Sequence, residues 1–158
     1  TITLAINDSQ RCEPLVGAAV YLWHCDAEGR YSLYSDGVTD QNYLRGVQET
    51  DATGTVTFET VFPGCYQGRW PHMHFEVYSS LAEATSSAGL ISTSQLAFDE
   101  QACAFVYSGT GYESSAGNFS GLSLATDGPF GDDGAVHQMA EVNGSEEEGM
   151  YGTFQFAV

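Results

Sequence analysis

The sequence predicts an all-β fold, an antiparallel β-sandwich with long loops and at most one or two short helices. Apolar residues recur mostly at every second position, which is the period of a strand with one buried face. These alternating segments are short and are separated by Gly, Asp, Ser and Pro turns. The 158 residues, 42% of them hydrophobic, suit one compact domain, which we expect to span 1–158.

The predicted strands follow one another along the whole chain. The chain opens on an alternating segment, a Gly then begins a more uniformly apolar strand, and a turn at 50–54 leads into the next alternating strand. The predicted strands are 1–6, 17–25, 55–62, 72–78, 91–98 and 151–158.

One helix is predicted at Asp99–Tyr107. Asp99 is expected to be its N-cap, because a carboxylate there can accept a hydrogen bond from a free backbone N–H of the first turn. Residues 108–134 are rich in Gly, Ser and Asp, and we predict a long ordered loop for them.

The charge is strongly unbalanced, with 21 acidic residues against four arginines and a formal net charge of −17. Such a surface repels phosphate backbones and anionic membranes. We therefore expect neither nucleic acid nor a membrane as a partner.

The four cysteines, Cys12, Cys25, Cys65 and Cys103, are even in number and include no CxxC pair, which indicates two disulfides. If segments 17–25 and 64–70 are antiparallel neighbours, a Cys25–Cys65 bridge would join them and leave Cys12–Cys103 as the second pair. Disulfides would favour an oxidising compartment. The alternative is four buried free thiols.

His72 and His74 lie one residue apart on a predicted strand. Alternate residues of a strand point to the same face, so two imidazoles would stand side by side, as a metal site requires. His24 and His137 also fall on predicted strands. We expect His24 to be a structural histidine and His137 to have no chemical role.

Residues just before this pair indicate which metal it would bind. Tyr66 follows a Pro-Gly turn, and Arg69 precedes His72 by three residues. A permanent cation there disfavours a metal unless anionic ligands compensate, and tyrosinates supply negative charge. An unperturbed Tyr has a pKa of about 10, which bound Fe(III) would lower steeply. Two imidazoles and two phenolates therefore predict Fe(III) rather than Fe(II).

The sequence from Pro14 to Tyr78, with one later strand, resembles the intradiol ring-cleavage dioxygenases, the family of the catechol, hydroxyquinol and protocatechuate dioxygenases. The resemblance covers roughly the first hundred residues. Its matching segments are PLVGAAVYLWHCDAEGRYSLY (14–34), LRG (44–46), TDATGTVTFETVFPGCY (50–66), GRWPHMHF (68–75) and ISTSQLAF (91–98).

The resemblance implies a prealbumin-like core and a role for each matching residue. The implied ligands of a mononuclear non-haem Fe(III) are Tyr31, Tyr66, His72 and His74. Arg69 and Gln95 would act on the substrate, and Tyr66 would also accept one of its protons. Tyr34 and Tyr43 would line the substrate pocket. Tyr43 is also a rival for the first tyrosine ligand.

The implied reaction is cleavage of a catechol between its two hydroxyls with O2, giving a cis,cis-muconate-type diacid. His72 follows Tyr66 by only six positions, a short spacing that is similar to that of the extracellular members of fungi and actinomycetes. That likeness implies a secreted protein, a more open pocket and larger, lignin-derived catechols. A fused carbohydrate-binding module outside this chain would also fit, as in some of those proteins.

Two other classes of function stay open at this point. One is a metal protein without iron, with zinc or copper on the His72–His74 pair. The cupins also use His-x-His, but they expect a differently spaced Glu and a third His. The other is a secreted module that binds carbohydrate or polyphenol through Trp70 and the tyrosines of 107–112.

Overall fold

Nine strands form two β-sheets in the computed structural model, which describes residues 1–145 and 147–158. The strands are β1 (Ile2–Asp8), β2 (Glu13–Pro14), β3 (Ala19–Trp23), β4 (Arg45–Glu49), β5 (Thr55–Phe58), β6 (His72–Tyr78), β7 (Leu90–Ala97), β8 (Glu141–Ser145) and β9 (Gly149–Ala157). One sheet has the order β2-β1-β9-β8, with β5 also paired to β1, and the other has the order β4-β3-β6-β7.

Alternate residues of the strands fill the space between the two sheets. Burying one such apolar side chain stabilises the fold by roughly 1.5–3 kcal/mol. In β6 the odd-numbered positions face this core, so the side chains of His72 and His74 point to the outer face of the four-stranded sheet. The core residues of β1 and β6 are Ile2, Leu4, Ile6, Met73, Phe75 and Val77, each no more than 2% exposed.

The predicted all-β sandwich is confirmed, with one pair of strands that is not antiparallel. β1 and β9 run parallel, with Ile2 opposite Gly152 and Asn7 opposite Ala157. A hairpin connects β9 to β8, and no tight turn connects β9 directly to β1. The pair of β1 and β9 is therefore not required to be antiparallel. Two strands are shorter than predicted: β3 ends at Trp23 and β5 at Phe58, where the chain leaves the sheets for long loops.

The predicted helix is confirmed as α1 (Glu100–Tyr107), and the Asp99 side chain caps it by accepting a hydrogen bond from the Ala102 N–H at 2.9 Å. The prediction of a loop over 108–134 was partly wrong. A second helix, α2 (Glu113–Phe119), forms there and packs apolar side chains against the core. His137 lies in a turn rather than on a strand. No helix in the described part of the chain is long and apolar enough to span a membrane.

All four cysteines are free thiols, so the structure contains neither of the predicted disulfides. Cys12 is exposed whereas Cys103 is fully buried on α1, so these two thiols occupy different environments. Cys25 and Cys65 are both buried, and each donates a hydrogen bond to a backbone carbonyl instead of bonding to the other. Burial raises the pKa of Cys25 to about 12 and that of Cys65 to about 11, which keeps both protonated.

Candidate metal centre

The middle strand β6 places both histidines of the candidate site. The cross-strand partners of His74 are Trp23 on β3 and Gln95 on β7. The Trp23 ring stacks on the His74 ring, with centroids 4.9 Å apart and planes 7° apart, which fixes the orientation of that imidazole. This role of Trp23 was not predicted, because the uniformly apolar segment 17–25 does not show which of its side chains face outward.

Two loops bring the tyrosines to the histidines. Tyr31 lies on the loop after β3, and Tyr66 lies on the loop before β6. The loops touch at Gly29, where an added Cβ would lie 3.0 Å from the Cys65 carbonyl oxygen and 3.1 Å from the Tyr66 Cβ. Gly29 also has a φ of +86°, in the left-handed region that favours glycine. A larger residue at 29 would push the tyrosine loops apart.

Three of the four predicted ligands converge on an atom of the fourth, the Nε2 of His72. The distances to it are 3.3 Å from the Tyr31 hydroxyl, 3.2 Å from the Tyr66 hydroxyl and 3.1 Å from the His74 Nε2. Donor atoms that each bind one metal at about 2.0–2.1 Å lie roughly 3 Å apart. The separations in this cluster are therefore those of ligands that share a metal ion.

Hydrogen bonding alone does not account for this convergence. The Nδ1 of His72 lies within hydrogen-bond distance of the Trp70 carbonyl oxygen. Because a carbonyl oxygen can only accept a hydrogen bond, the nitrogen must donate one. Nδ1 then carries the proton, and Nε2 keeps a single lone pair. One lone pair accepts one strong hydrogen bond, yet three polar atoms point at it. A ring nitrogen fixed by a carbonyl is also the usual arrangement of a metal-binding histidine. The donor set thus fits a metal ion.

The protonation states of the donors favour a metal of high charge. Burial, with the nearby charge of Arg69, lowers the pKa of His72 to about 3 and that of His74 to about 4, so both imidazoles are neutral at neutral pH. Burial raises the pKa of the phenols of Tyr31 and Tyr66, and Arg69 opposes the rise at Tyr66. The phenols therefore stay protonated until a strong Lewis acid displaces their protons.

Arg69 is held beside the cluster by two side chains. Its Nε donates to the Asp127 carboxylate at 2.9 Å, and its Nη2 donates to the Gln95 Oε1 at 2.6 Å. Asp127 is almost completely buried and also accepts from the backbone N–H groups of Trp70 and Phe130. The predicted proximity of Arg69 and Gln95 to the site is thus observed. Asp127 was not predicted, because its partner is 58 residues away in sequence.

The two residues predicted for the pocket wall have different surroundings. Tyr34 is 69% exposed, and the guanidinium of Arg45 lies 4.7 Å from the centre of its ring. Tyr43 is half-buried and donates its hydroxyl proton to the Asp26 carboxylate at 2.8 Å, so it is not one of the four converging groups. Arg45 is tied by three hydrogen bonds to Tyr21 and Ser32. Substrate contact by Tyr34 and Tyr43 stays a prediction.

The other histidines do not join the cluster. His24 is buried, with one ring nitrogen on the Cys25 carbonyl oxygen and the other on the Thr60 hydroxyl, which agrees with the expected structural role. His137 is exposed. Within residues 1–145 and 147–158, no group of three or more His, Cys, Asp or Glu side chains is placed to hold a metal. The phenols are therefore needed to complete a metal site here.

An apolar cavity of about 440 Å³ opens elsewhere, between the loop after β5, the β8–β9 hairpin and α1. Its lining includes Phe62, Met73, Phe98 and Val106 but none of the four converging side chains. Met73 faces the core from β6, opposite to His72 and His74, so the cavity and the donor cluster lie on different faces of the sheet. We assign the chemistry to the donor cluster rather than to this cavity.

The fold and the cluster together define a class of protein, a β-sandwich in which two imidazoles and two phenols converge on the outer face of one sheet. A family model described as Dioxygenase matches residues 6–101. This chain belongs to that family, and its similarity to a solved intradiol ring-cleavage dioxygenase places it among the intradiol enzymes.

Individual relatives agree with that assignment. The structure of an intradiol ring-cleavage dioxygenase from Tetranychus urticae is similar over 99% of this chain and 78% of its own, with 29% identity and a TM-score of 0.84. The dioxygenase domain of a dioxygenase carbohydrate-binding protein fusion from Streptomyces sp. SirexAA-E has a TM-score of 0.67 over 99% of this chain and 77% of its own, and at 23% identity it supports the fold alone.

A curated relative matches over a shorter segment. The chlorocatechol 1,2-dioxygenase of Rhodococcus opacus is 33% identical over 54 residues, which are 34% of this chain and 21% of the relative. The match thus spans about a fifth of that protein.

Proposed function

We propose that this chain is an Fe(III)-dependent intradiol dioxygenase that cleaves a catechol ring between its hydroxyls with O2 and forms a cis,cis-muconate-type diacid. The observation that carries the proposal is the convergence of two phenol oxygens and the His74 Nε2 within 3.1–3.3 Å of the His72 Nε2. Membership of the dioxygenase family supports it. The proposal extends to larger, lignin-derived catechols, which the short sequence separation of Tyr66 and His72 suggests.

Each of the converging residues would have a defined task. Tyr31, Tyr66, His72 and His74 would hold the iron. When bound, Fe(III) supplies the Lewis acidity that activates a catechol dianion for reaction with O2. The phenolate oxygen of Tyr66 would accept a proton from a substrate hydroxyl.

Arg69 and Gln95 would act on the substrate itself. The Nε and one Nη of Arg69 are engaged by Asp127 and Gln95, and its other Nη would stabilise negative charge that develops on the ring. The contact with Arg69 also fixes the Gln95 amide, so its NH2 group is directed away from the guanidinium and can donate to the substrate.

The binding-module alternative loses the residues proposed for it. Trp70 is only 3% exposed and its indole N–H is bonded to the Phe98 carbonyl oxygen. Tyr107 is buried, and Tyr112 is half-buried with its hydroxyl bonded to a backbone carbonyl. Neither Trp70 nor Tyr107 presents a free face for a sugar. Secretion and a fused module stay predictions.

The proposal is tested by loading the protein with iron and recording its visible spectrum. We expect a phenolate-to-iron absorption band that shifts when catechol is added without O2 and decays when O2 is admitted, with a ring-opened diacid as product. A colourless protein with stoichiometric zinc and no O2 uptake would instead support the rival metal protein.

Single tyrosine variants would identify the phenolates. Tyr31→Phe and Tyr66→Phe each remove one oxygen and leave the ring in place, so each should weaken and shift the absorption band, and the double variant should lack it. Tyr43→Phe is the matched control, because its hydroxyl bonds to Asp26 rather than to the cluster. An unchanged band in Tyr31→Phe together with a weakened, shifted band in Tyr43→Phe would make Tyr43 the ligand.

A further inference from the structure

One buried hydroxyl, that of Ser115 on α2, joins the two loops that carry the tyrosines. It accepts a hydrogen bond from the Cys65 N–H at 2.8 Å and donates one to the Ala27 carbonyl oxygen at 2.6 Å. Cys65 directly precedes Tyr66, and Ala27 lies four residues before Tyr31. Ser115 is completely buried. We call this connection, from Cys65 through Ser115 to Ala27, the Ser115 bridge.

Besides the bridge, other hydrogen bonds join these loops, one of them from the Cys25 thiol to the Gly64 carbonyl oxygen at 3.3 Å. The Gly64 N–H donates to the Asp26 carbonyl oxygen at 3.2 Å, which is a long hydrogen bond. A Cβ added to Gly64 would clash with that oxygen and lie 2.7 Å from the Ser115 Oγ. The glycine therefore allows the loops to approach, and the serine hydroxyl satisfies the buried polar groups between them.

Neighbouring side chains secure the Tyr66 loop to the same segment. The Asn118 Nδ2 donates to the Cys65 carbonyl oxygen at 2.8 Å, the Tyr107 hydroxyl to the Pro63 carbonyl oxygen at 2.9 Å, and the Tyr112 hydroxyl to that of Phe62 at 2.7 Å. These bonds hold only the Tyr66 loop, whereas Ser115 contacts both loops.

We propose that Ser115 is a positioning residue that sets the separation of the Tyr31 and Tyr66 oxygens, and through it the affinity of the site for a trivalent metal; this rests on the proposed function. Each phenol oxygen must lie about 2 Å from the same ion. A shift of either loop moves one oxygen out of that range. Groups that orient metal ligands without touching the metal typically change its affinity by about 10–100-fold.

The test compares Ser115→Ala with Ser114→Ala, the same change at an exposed position of the same helix. Iron affinity is measured by competition with a chelator, and the phenolate-to-iron band is recorded on each loaded protein. We expect Ser115→Ala to bind iron about tenfold more weakly or worse and to show a shifted, broadened band. Ser114→Ala should match the parent protein. Faster amide hydrogen exchange at Cys65 in metal-free Ser115→Ala would show that the bridge is broken.

If Ser115→Ala does not fold, Asn118→Ala tests whether α2 positions the Tyr66 loop. Asn118 is only half-buried, and its hydrogen bond holds the Tyr66 loop alone. A shifted band in that variant supports positioning from α2. If Ser115→Ala folds with the affinity and band of Ser114→Ala, or if it does not fold and Asn118→Ala leaves both unchanged, the inference is wrong. This outcome can be distinguished from failure of the proposed function, because in that case the parent protein itself would lack the phenolate-to-iron band.

Discussion

His72→Ala is expected to abolish stable iron binding, with an affinity lower by more than about 100-fold, which exceeds the usual effect of losing an outer-shell partner. The other three donors all lie within 3.3 Å of the His72 Nε2, so its removal leaves them around a gap at the centre of the site. The measurement is the iron content after dialysis against a chelator, together with the visible spectrum.

His137→Ala is the matched control, because His137 is exposed and outside the cluster. Circular dichroism would check that His72→Ala stays folded, since replacing a side chain that is 2% exposed leaves a cavity and lowers the free energy of unfolding. A folded His72→Ala that keeps one tightly bound iron and an unaltered band would contradict the assigned ligand set.

Six of the nine described strands and the direction of the histidines could be predicted because each depends on local pattern, whereas β2, β4 and β8 were missed. A period of two in HMHFEVY fixes which face His72 and His74 share, whatever the sheet around them. Family resemblance then added Tyr31 and Tyr66, which lie 35 residues apart in sequence and meet only through folding. The structure brings all four together as predicted.

The parts that were missed depend on distant partners. The helix α2 has seven residues, ESSAGNF, which is too short and polar to show a helical period. Its packing against the core and the Ser115 hydrogen bonds stabilise it, and their partners lie 50 and 88 residues away. The two predicted disulfides are absent from the structure: an even count of cysteines does not show which thiols meet, and Cys12 is exposed whereas Cys103 is completely buried.

The second large effect concerns Arg69→Lys, which we expect to retain iron and its absorption band but to lower kcat by about 100–1000-fold, the usual loss when one preorganised donor is removed. The substitution keeps the positive charge, so the electrostatic influence on Tyr66 and His74 is largely retained. The substitution removes the planar guanidinium group, which donates hydrogen bonds to Asp127 and Gln95 at the same time.

A lysine ammonium can approach one of those partners, but it cannot hold the geometry that would direct the other Nη of Arg69 toward the substrate. Initial rates of O2 uptake over a range of catechol concentrations would separate kcat from KM, with Arg11→Lys, an exposed arginine paired with Asp8, as the matched control. If Arg69→Lys turned over as fast as that control, charge alone would be sufficient. The Arg69 hydrogen bonds to Asp127 and Gln95 would then serve stability rather than catalysis.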